Sequence, residues 1–199
     1  MAPRGIARYV ADVRIIAGRF RGRRLVTPKH RRTRPTSDRV RESIFSILGD
    51  VDGNRVLDAY AGSGALGLEA LSRGARSVDA VDRDRAAREA ITANARALGV
   101  QEQLHFHVGD TVRLLLTKRL GGPYDLVFID PPYASSLFEH TLAALATSAV
   151  VSEHGRIVGE FPTRAEPTLG SEWVLHTRKT YGDTSIVIAA LDSERRGAQ

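Results

Sequence analysis

Val56-Leu57-Asp58-Ala59-Tyr60-Ala61-Gly62-Ser63-Gly64-Ala65-Leu66-Gly67 reads as a buried strand, a glycine-rich turn and the start of a helix. Gly62, Gly64 and Gly67 have G-x-G-x-x-G spacing. Glycines there let the backbone take positive φ and come close to a ligand. Asp82 follows at the end of the next strand, where an acid can accept hydrogen bonds from both ribose hydroxyls of a nucleoside. Taken alone, this pattern also fits a dinucleotide site. Asp58 shifts the reading, because a carboxylate just before the turn repels a pyrophosphate and favours a cationic amino or sulfonium group. Asp110 ends a third strand in Val108-Gly109-Asp110. It is equally readable as an acceptor for an adenine amine or as the N-cap of a helix opening at Thr111.

Outward from this turn the chain alternates strand and helix. Strands are expected at Arg55–Asp58, Ser77–Asp82, Leu104–His107, Tyr124–Asp130 and Gly155–Phe161, with helices in the intervals: one through Gly67–Arg73, then Arg85–Leu98, Thr111–Leu120 and Ser136–Thr147. Trp173–Thr180 and Thr184–Leu191 close the chain as an antiparallel pair. The expected fold is α/β and Rossmann-like, and its closing hairpin resembles the one that class I S-adenosylmethionine-dependent methyltransferases add to the doubly wound sheet. It has a seven-stranded, mostly parallel sheet with an antiparallel edge hairpin. Before it, Val13–Ala17 and Arg23–Thr27 read as a small N-terminal β-hairpin. A helix from Ser37 to Leu48 would bury Val40, Ile44, Ile47 and Leu48 and leave Arg39 and Arg41 off its buried stripe. Residues 1–12 read as a frayed terminus and Lys29–Arg34 as a basic loop. The domain division is a basic extension over residues 1–30 and a methyltransferase domain over 31–199.

The buried strand Asp125–Ile129 delivers Asp130-Pro131-Pro132-Tyr133 to the same sheet edge. Two prolines stiffen the backbone and remove two N–H donors. An acceptor-only surface remains, made of the Asp130 carboxylate and the Pro131 carbonyl, with Tyr133 as an aromatic face. Two acceptors bind the two hydrogens of an exocyclic base amine and aim its lone pair, and the ring stacks on an extruded base. Transfer is then a direct displacement governed by positioning. A strand-terminating Asp-Pro turn is the structural alternative.

Charge is unevenly spread. Residues 1–41 hold 13 Lys+Arg and 2 Asp+Glu, a net of +11. The remaining 16 and 21 give −5, and together these make the overall +6. A basic arm on an acidic body points to a polyanion partner. Arg19, Arg21, Arg23, Arg24, Arg34, Thr36 and Arg39 are the expected RNA contacts. The chain has no cysteine, which excludes disulfides, thiolate zinc and cysteine nucleophiles. A metal is not expected. No apolar run is long enough for a membrane span and no signal segment is recognisable, so a cytoplasmic monomer without membrane contacts is expected.

The segments RIIAGRFRGRRL (Arg14–Leu25), RPTSDRVRESIFSIL (Arg34–Leu48), LDAYAGSGALGLEALSRGA (Leu57–Ala75), DPPY (Asp130–Tyr133) and KTYGDT (Lys179–Thr184) together resemble the RsmD-type 16S rRNA guanine-N2 methyltransferases. The resemblance implies that Asp58, Gly62 and Gly64 contact the methionine half of S-adenosylmethionine, Asp82 its ribose and Asp110 its adenine. Tyr60, Arg83, Thr111 and Asp130 complete the expected cofactor set. It implies that Asp130, Pro131, Pro132 and Tyr133 hold the target guanine, at position 966. Arg34-Pro35-Thr36 would lie against the cofactor and entrance, and the hairpin would grip small-subunit rRNA within an assembling 30S particle. Tyr60 stands where the family leads one to expect Phe, and Asp82 where it leads one to expect Glu. Competing readings are an adenine-N6 methyltransferase, disfavoured by the lack of room for a recognition insert, and a glutamine-N5 methyltransferase, which typically has Asn at the position of Asp130. Two further alternatives are an NAD-dependent oxidoreductase, disfavoured by Asp58, and a non-catalytic RNA-binding assembly factor.

Overall fold

The computed structural model describes residues 13–28, 37–132 and 136–192. The expectations for residues 1–12 and 29–36, and for Tyr133, lie outside them. Twelve elements follow in order: α1 (Asp38–Leu48), β1 (Arg55–Asp58), α2 (Ala65–Ser72), β2 (Ser77–Asp82), α3 (Arg85–Leu98), β3 (Leu104–Val108), α4 (Thr111–Leu116), β4 (Tyr124–Ile129), α5 (Leu137–Ser148), β5 (Val151–Pro162), β6 (Trp173–Tyr181) and β7 (Thr184–Leu191). The strands form one seven-stranded sheet in the order β3-β2-β1-β4-β5-β7-β6. β3 to β5 pair in parallel, whereas β7 pairs antiparallel with β5 and β6. This is the Rossmann-like sheet with an antiparallel edge hairpin read from the sequence.

Two cores sandwich the sheet. Leu126 and Phe128 of β4 pack with α1, α2 and α3, while Val127 and Ile129 pack with α4 and α5. Alternation along a strand therefore decides which layer each side chain joins. Phe45 of α1 and Phe128 meet with ring centroids 5.7 Å apart. α1 is capped by Ser37, whose hydroxyl accepts from Val40 N–H, and it ends at Gly49 with φ 70°. α4 stops at Leu116, four residues earlier than expected. The Thr117 hydroxyl bonds back to the Arg113 carbonyl at 2.7 Å, and Lys118 takes φ 54°. β5 begins at Val151, before the expected Gly155, because an irregularity between Tyr124 and Leu126 lets it pair with β4 from both sides of the break.

The N-terminal segment is less sheet-like than expected. Its two arms share one bridge, Arg14 with Arg24. Ile15 N–H to Arg23 O, Leu25 N–H to Val13 O and Gly22 N–H to Ile15 O also join the arms, and Glu69 of α2 accepts from Ile16 N–H at 2.7 Å and Ala17 N–H at 3.0 Å. Ser72 adds a donor and an acceptor, giving a hydrogen bond to the Ala17 carbonyl and receiving one from Phe20 N–H. Gly18, at φ 80°, sits so close to the Ser72 carbonyl that a Cβ would lie 1.9 Å from its oxygen. Val13, Ile15 and Leu25 are buried in the α1–α3 core.

Arg41 departs from the expected pattern. It is fully buried, and its Nη2 donates to the Arg14 carbonyl at 2.8 Å and to Asp38 at 2.7 Å. Its Nε and Nη1 have no partner among the described residues. The N-terminal segment covers a helix face that periodicity assigns to solvent.

A second polar cluster crosses the sheet. Asp79 of β2 accepts from the Tyr124 hydroxyl at 2.8 Å and meets His107 Nε2 at 2.6 Å. Burial raises the Asp79 pKa, but these hydrogen bonds outweigh it, so its carboxyl lies below the usual carboxylate value. Burial, followed by the neighbouring Asp79 charge, pushes the Tyr124 hydroxyl up. Two outcomes are expected. Glu69→Ala orphans two backbone donors and lowers unfolding free energy by about 3 kcal/mol in urea titration, with faster amide exchange at Ile16 and Ala17. Asp79→Asn costs about 1–3 kcal/mol at neutral pH. Because the folded pKa is depressed, that advantage is present above about pH 4 and is lost as pH falls through the lowered value, so the gap between wild type and Asp79→Asn closes under acid.

Candidate active site

The carboxyl ends of β1, β2, β3 and β4 meet at one edge, where open α/β sheets bind ligands. The turn after β1 is built by glycine. Gly62 and Gly64 take φ of 55° and 78°. Gly64 is the α2 N-cap, and a Cβ there would crowd Ile91 at 3.1 Å. At Gly67 a Cβ would lie 2.8 Å from Val78, so the third glycine lets α2 pack against β2.

Carboxylates hold this turn in place. Asp58, buried, accepts from Gly67 N–H at 3.0 Å. Asp82, also buried, reaches from the neighbouring strand to accept Gly62 N–H at 3.0 Å through one oxygen and Asp84 N–H at 2.9 Å through the other. A carboxylate oxygen accepts more than one hydrogen bond, so groups of this kind suit ligand hydroxyls. Asp110 is exposed and caps α4, accepting from Arg113 N–H at 2.9 Å. The Thr111 hydroxyl is buried and donates to the Ala59 carbonyl, which ties α4 to the end of β1. Tyr60 bonds through its hydroxyl to Thr141 Oγ1 at 2.6 Å, and Thr141 in turn donates to Leu137 O. Burial raises the Tyr60 pKa, so it stays a neutral phenol at physiological pH.

Tyr60, Asp82, Arg83, Gly109, Asp110, Thr111, Pro132 and Leu137 line an open cleft of about 320 Å³. Its chemistry suits a nucleoside. Tyr60, Leu137 and Pro132 offer flat apolar walls, and the Asp82 and Asp110 carboxylates offer acceptors for hydroxyls and an amine. Leu137 and Gly109 were not singled out by the sequence; both owe their place to the ends of neighbouring elements. Pro132 joins this cleft to the Asp130-Pro131 turn, where Pro131 is buried and Asp130 half-buried. Asp58 and Phe128 are register partners in β1 and β4, and Asp130 follows directly after the end of β4 at the same carboxyl edge. The cofactor-side and acceptor-side motifs therefore meet at one edge. Among the described residues no cluster of His, Asp or Glu suits a metal. No described helix is long and apolar enough to cross a membrane.

The proposed RNA contacts are divided in space. Arg39 is exposed on the first turn of α1. Arg19, Arg21, Arg23 and Arg24 lie in the N-terminal segment, whose tip rests against the far end of α2. Arg34 and Thr36 are outside the described residues. Asn94 was missed by the sequence reading. Buried on α3, it receives Val26 N–H at 2.7 Å and donates to the carbonyls of Val26 at 2.9 Å and Ser63 at 3.0 Å, so it pins the N-terminal segment to the glycine turn. An amide on the Ile91–Leu98 buried stripe was the available signal.

Sheet order, glycine turn and acid-lined cleft together define a protein of the Rossmann-like methyltransferase class. The family model described as "Conserved hypothetical protein 95" matches residues 13–190. The chain belongs to this family, that of the RsmD-type rRNA methyltransferases. It is 37% identical to YlbH of Bacillus subtilis over 88% of this chain and 97% of that protein. It is 35% identical to Ribosomal RNA small subunit methyltransferase D of Escherichia coli, over 87% of each. The solved structure of YhhF from Escherichia coli matches with a TM-score of 0.81 and 34% identity, covering 92% of this chain and 99% of that one. Asp82→Ala frees Gly62 N–H and removes a cleft acceptor. The thermal shift produced by S-adenosylhomocysteine should fall at least tenfold in ligand affinity, read by titration, while the far-ultraviolet circular dichroism spectrum stays that of the wild type.

Proposed function

We propose that this chain methylates the exocyclic N2 of a guanine in small-subunit rRNA, with S-adenosylmethionine as donor and the target nucleotide drawn out of its stack. One observation carries the reading: the nucleoside-suited cleft and the acceptor-only Asp130-Pro131 turn share a sheet edge, in a family whose curated members include small-subunit rRNA methyltransferases.

S-adenosylmethionine, when bound, supplies an electrophilic methyl group. Asp82 and Asp110 would hold its ribose and adenine, Tyr60 and Leu137 would flank the ring, and Asp58 with the Gly62–Gly64 turn would face its methionine end. Arg83 and Thr111 border the same cleft. The Asp130 carboxylate and Pro131 carbonyl accept the two hydrogens of the amine and set its lone pair towards the methyl group. In a direct displacement the amine would give up one proton as it gains the methyl group, to the Asp130 carboxylate that accepts from it or to water. Pro131 and Pro132 offer no N–H to compete for the amine lone pair. A base can reach this edge only when unstacked, and Tyr133 supplies a ring for it to stack on. Arg19, Arg21, Arg23, Arg24, Arg34, Thr36 and Arg39 would meet the rRNA backbone, in an assembling particle or in free rRNA.

Incubating the protein with unmethylated small-subunit rRNA and tritiated S-adenosylmethionine, then digesting to nucleosides, tests the reading. N2-methylguanosine is the expected product. N6-methyladenosine would move the chemistry to the other purine, and no product would end the proposal. Asp130→Ala should lower kcat at least 100-fold while the S-adenosylhomocysteine thermal shift persists.

A further inference from the structure

The tip of the N-terminal segment lies at the opposite end of the sheet from the acceptor turn. Arg19 N–H donates to the carbonyl of Ser72, the last residue of α2, and Arg19 Nη2 to Gln103, just ahead of β3. Arg23 Nη2 donates to Ala97 O, near the end of α3. α2 and α3 both run from the carboxyl edge of the sheet to its amino edge. With 14 residues, α3 alone separates these arginines from Asp82 and Arg83 by about 21 Å. One polyanion that touches both must travel along α3.

α3 is dressed for that. Arg85, Arg88, Thr92 and Arg96 fall at i, i+3, i+7 and i+11, on the exposed side that borders the buried stripe of Ala87, Ile91, Ala95 and Leu98. Two acids face the stripe. Glu89 pairs with Arg85 at 3.2 Å, and Glu102 lies in the loop beyond the helix. Arg88 and Arg96 are exposed, and Arg19 and Arg23, held beside the end of α3, extend the band. The arginines at the tip are also pre-aimed. Arg19 stacks over Phe20 at 4.5 Å, and hydrogen bonds to the body hold both Arg19 and Arg23. Guanidinium groups already fixed lose less conformational freedom on meeting phosphates.

We infer that the outer face of α3 is a phosphate-binding track that carries the rRNA backbone from the acceptor edge down to the N-terminal tip. The inference rests on the proposed rRNA substrate. It assigns binding to Arg88 and Arg96, which lie in neither the cleft nor the N-terminal segment. Each contact is with phosphate, so it positions the RNA without reading its sequence.

The test uses the full chain and unmethylated small-subunit rRNA transcribed in vitro. Arg88→Glu/Arg96→Glu should weaken rRNA binding at least tenfold near 0.1 M salt. It should also flatten the plot of log affinity against log salt by about 1.5 to 2. KM for rRNA should rise, while kcat at saturating rRNA, S-adenosylhomocysteine affinity and Tm hold. Arg88→Lys/Arg96→Lys should restore binding. Lys118→Glu/Arg119→Glu, the same charge change beyond α4 on the other face, should leave binding close to wild type. Wild-type affinity in the α3 variant would overturn the inference, and so would an equal loss in the α4 variant, since net charge alone would then explain it. Failure of the wild type to methylate this rRNA would sink the substrate reading instead, while binding would still judge the track.

Discussion

Two carboxylates hold one turn of backbone, and most of the rest of the molecule follows from that. The glycine turn after β1 exposes N–H groups that nothing in a tight strand-to-helix turn can satisfy from within. Asp58 takes Gly67 N–H, and Asp82, from the next strand, takes Gly62 N–H. Both acids are buried, so each contact is a charge-assisted bond in low dielectric, and losing it would leave an unpaired buried group. The same bonds fix the distance between β1, β2 and the start of α2. They thereby set the width of the cleft that Tyr60, Leu137 and Pro132 close.

The N-terminal segment is joined to this frame by the same kind of contact. Glu69 and Ser72 on α2 receive its backbone, and Asn94 on α3 ties Val26 to Ser63 within the glycine turn. Polar side chains on buried helix faces thus add to the backbone hydrogen bonds between its two arms and anchor the segment on α2 and α3. With Val13, Ile15 and Leu25 in the α1–α3 core, removing the segment also removes part of the hydrophobic core. Charge reversal on the surface is the cleaner way to separate RNA binding from folding.

Much of this was legible in the residues. The glycine spacing, the acids at the ends of β1, β2 and β3, and the Asp130-Pro131-Pro132 turn stand out because backbone chemistry restricts which residues can occupy them. β1, β2 and α3 have the expected bounds. The misses share a cause. Periodicity ranks a residue by its own polarity and cannot see what a distant segment lays over it. Arg41 therefore reads as solvent-facing yet is fully buried beneath the N-terminal segment, with Nη2 on the Arg14 carbonyl. Asn94 and Glu69 read as ordinary helix residues, because their backbone partners lie 31 to 68 positions away. The end of α4 was set by a side chain, Thr117, bonding back to its own helix.

The acids at the sheet edge differ in how tightly structure and chemistry are joined in them. Asp82 spends one lone pair on each of two backbone N–H groups before any ligand arrives, so its removal loosens the cleft and takes away a ligand contact together. Asp110 is exposed and caps a six-residue helix through one oxygen, on Arg113 N–H. Asp130 stands after β4 rather than within the turn, on a backbone already stiffened by two prolines. Ring closure in the two prolines fixes the main chain here, whatever hydrogen bonds the Asp130 carboxylate itself makes. Within the proposed function Asp130 stands on the acceptor side of the edge and Asp82 on the donor side. For that reason the acceptor turn is where binding of the donor and transfer of the methyl group can be told apart.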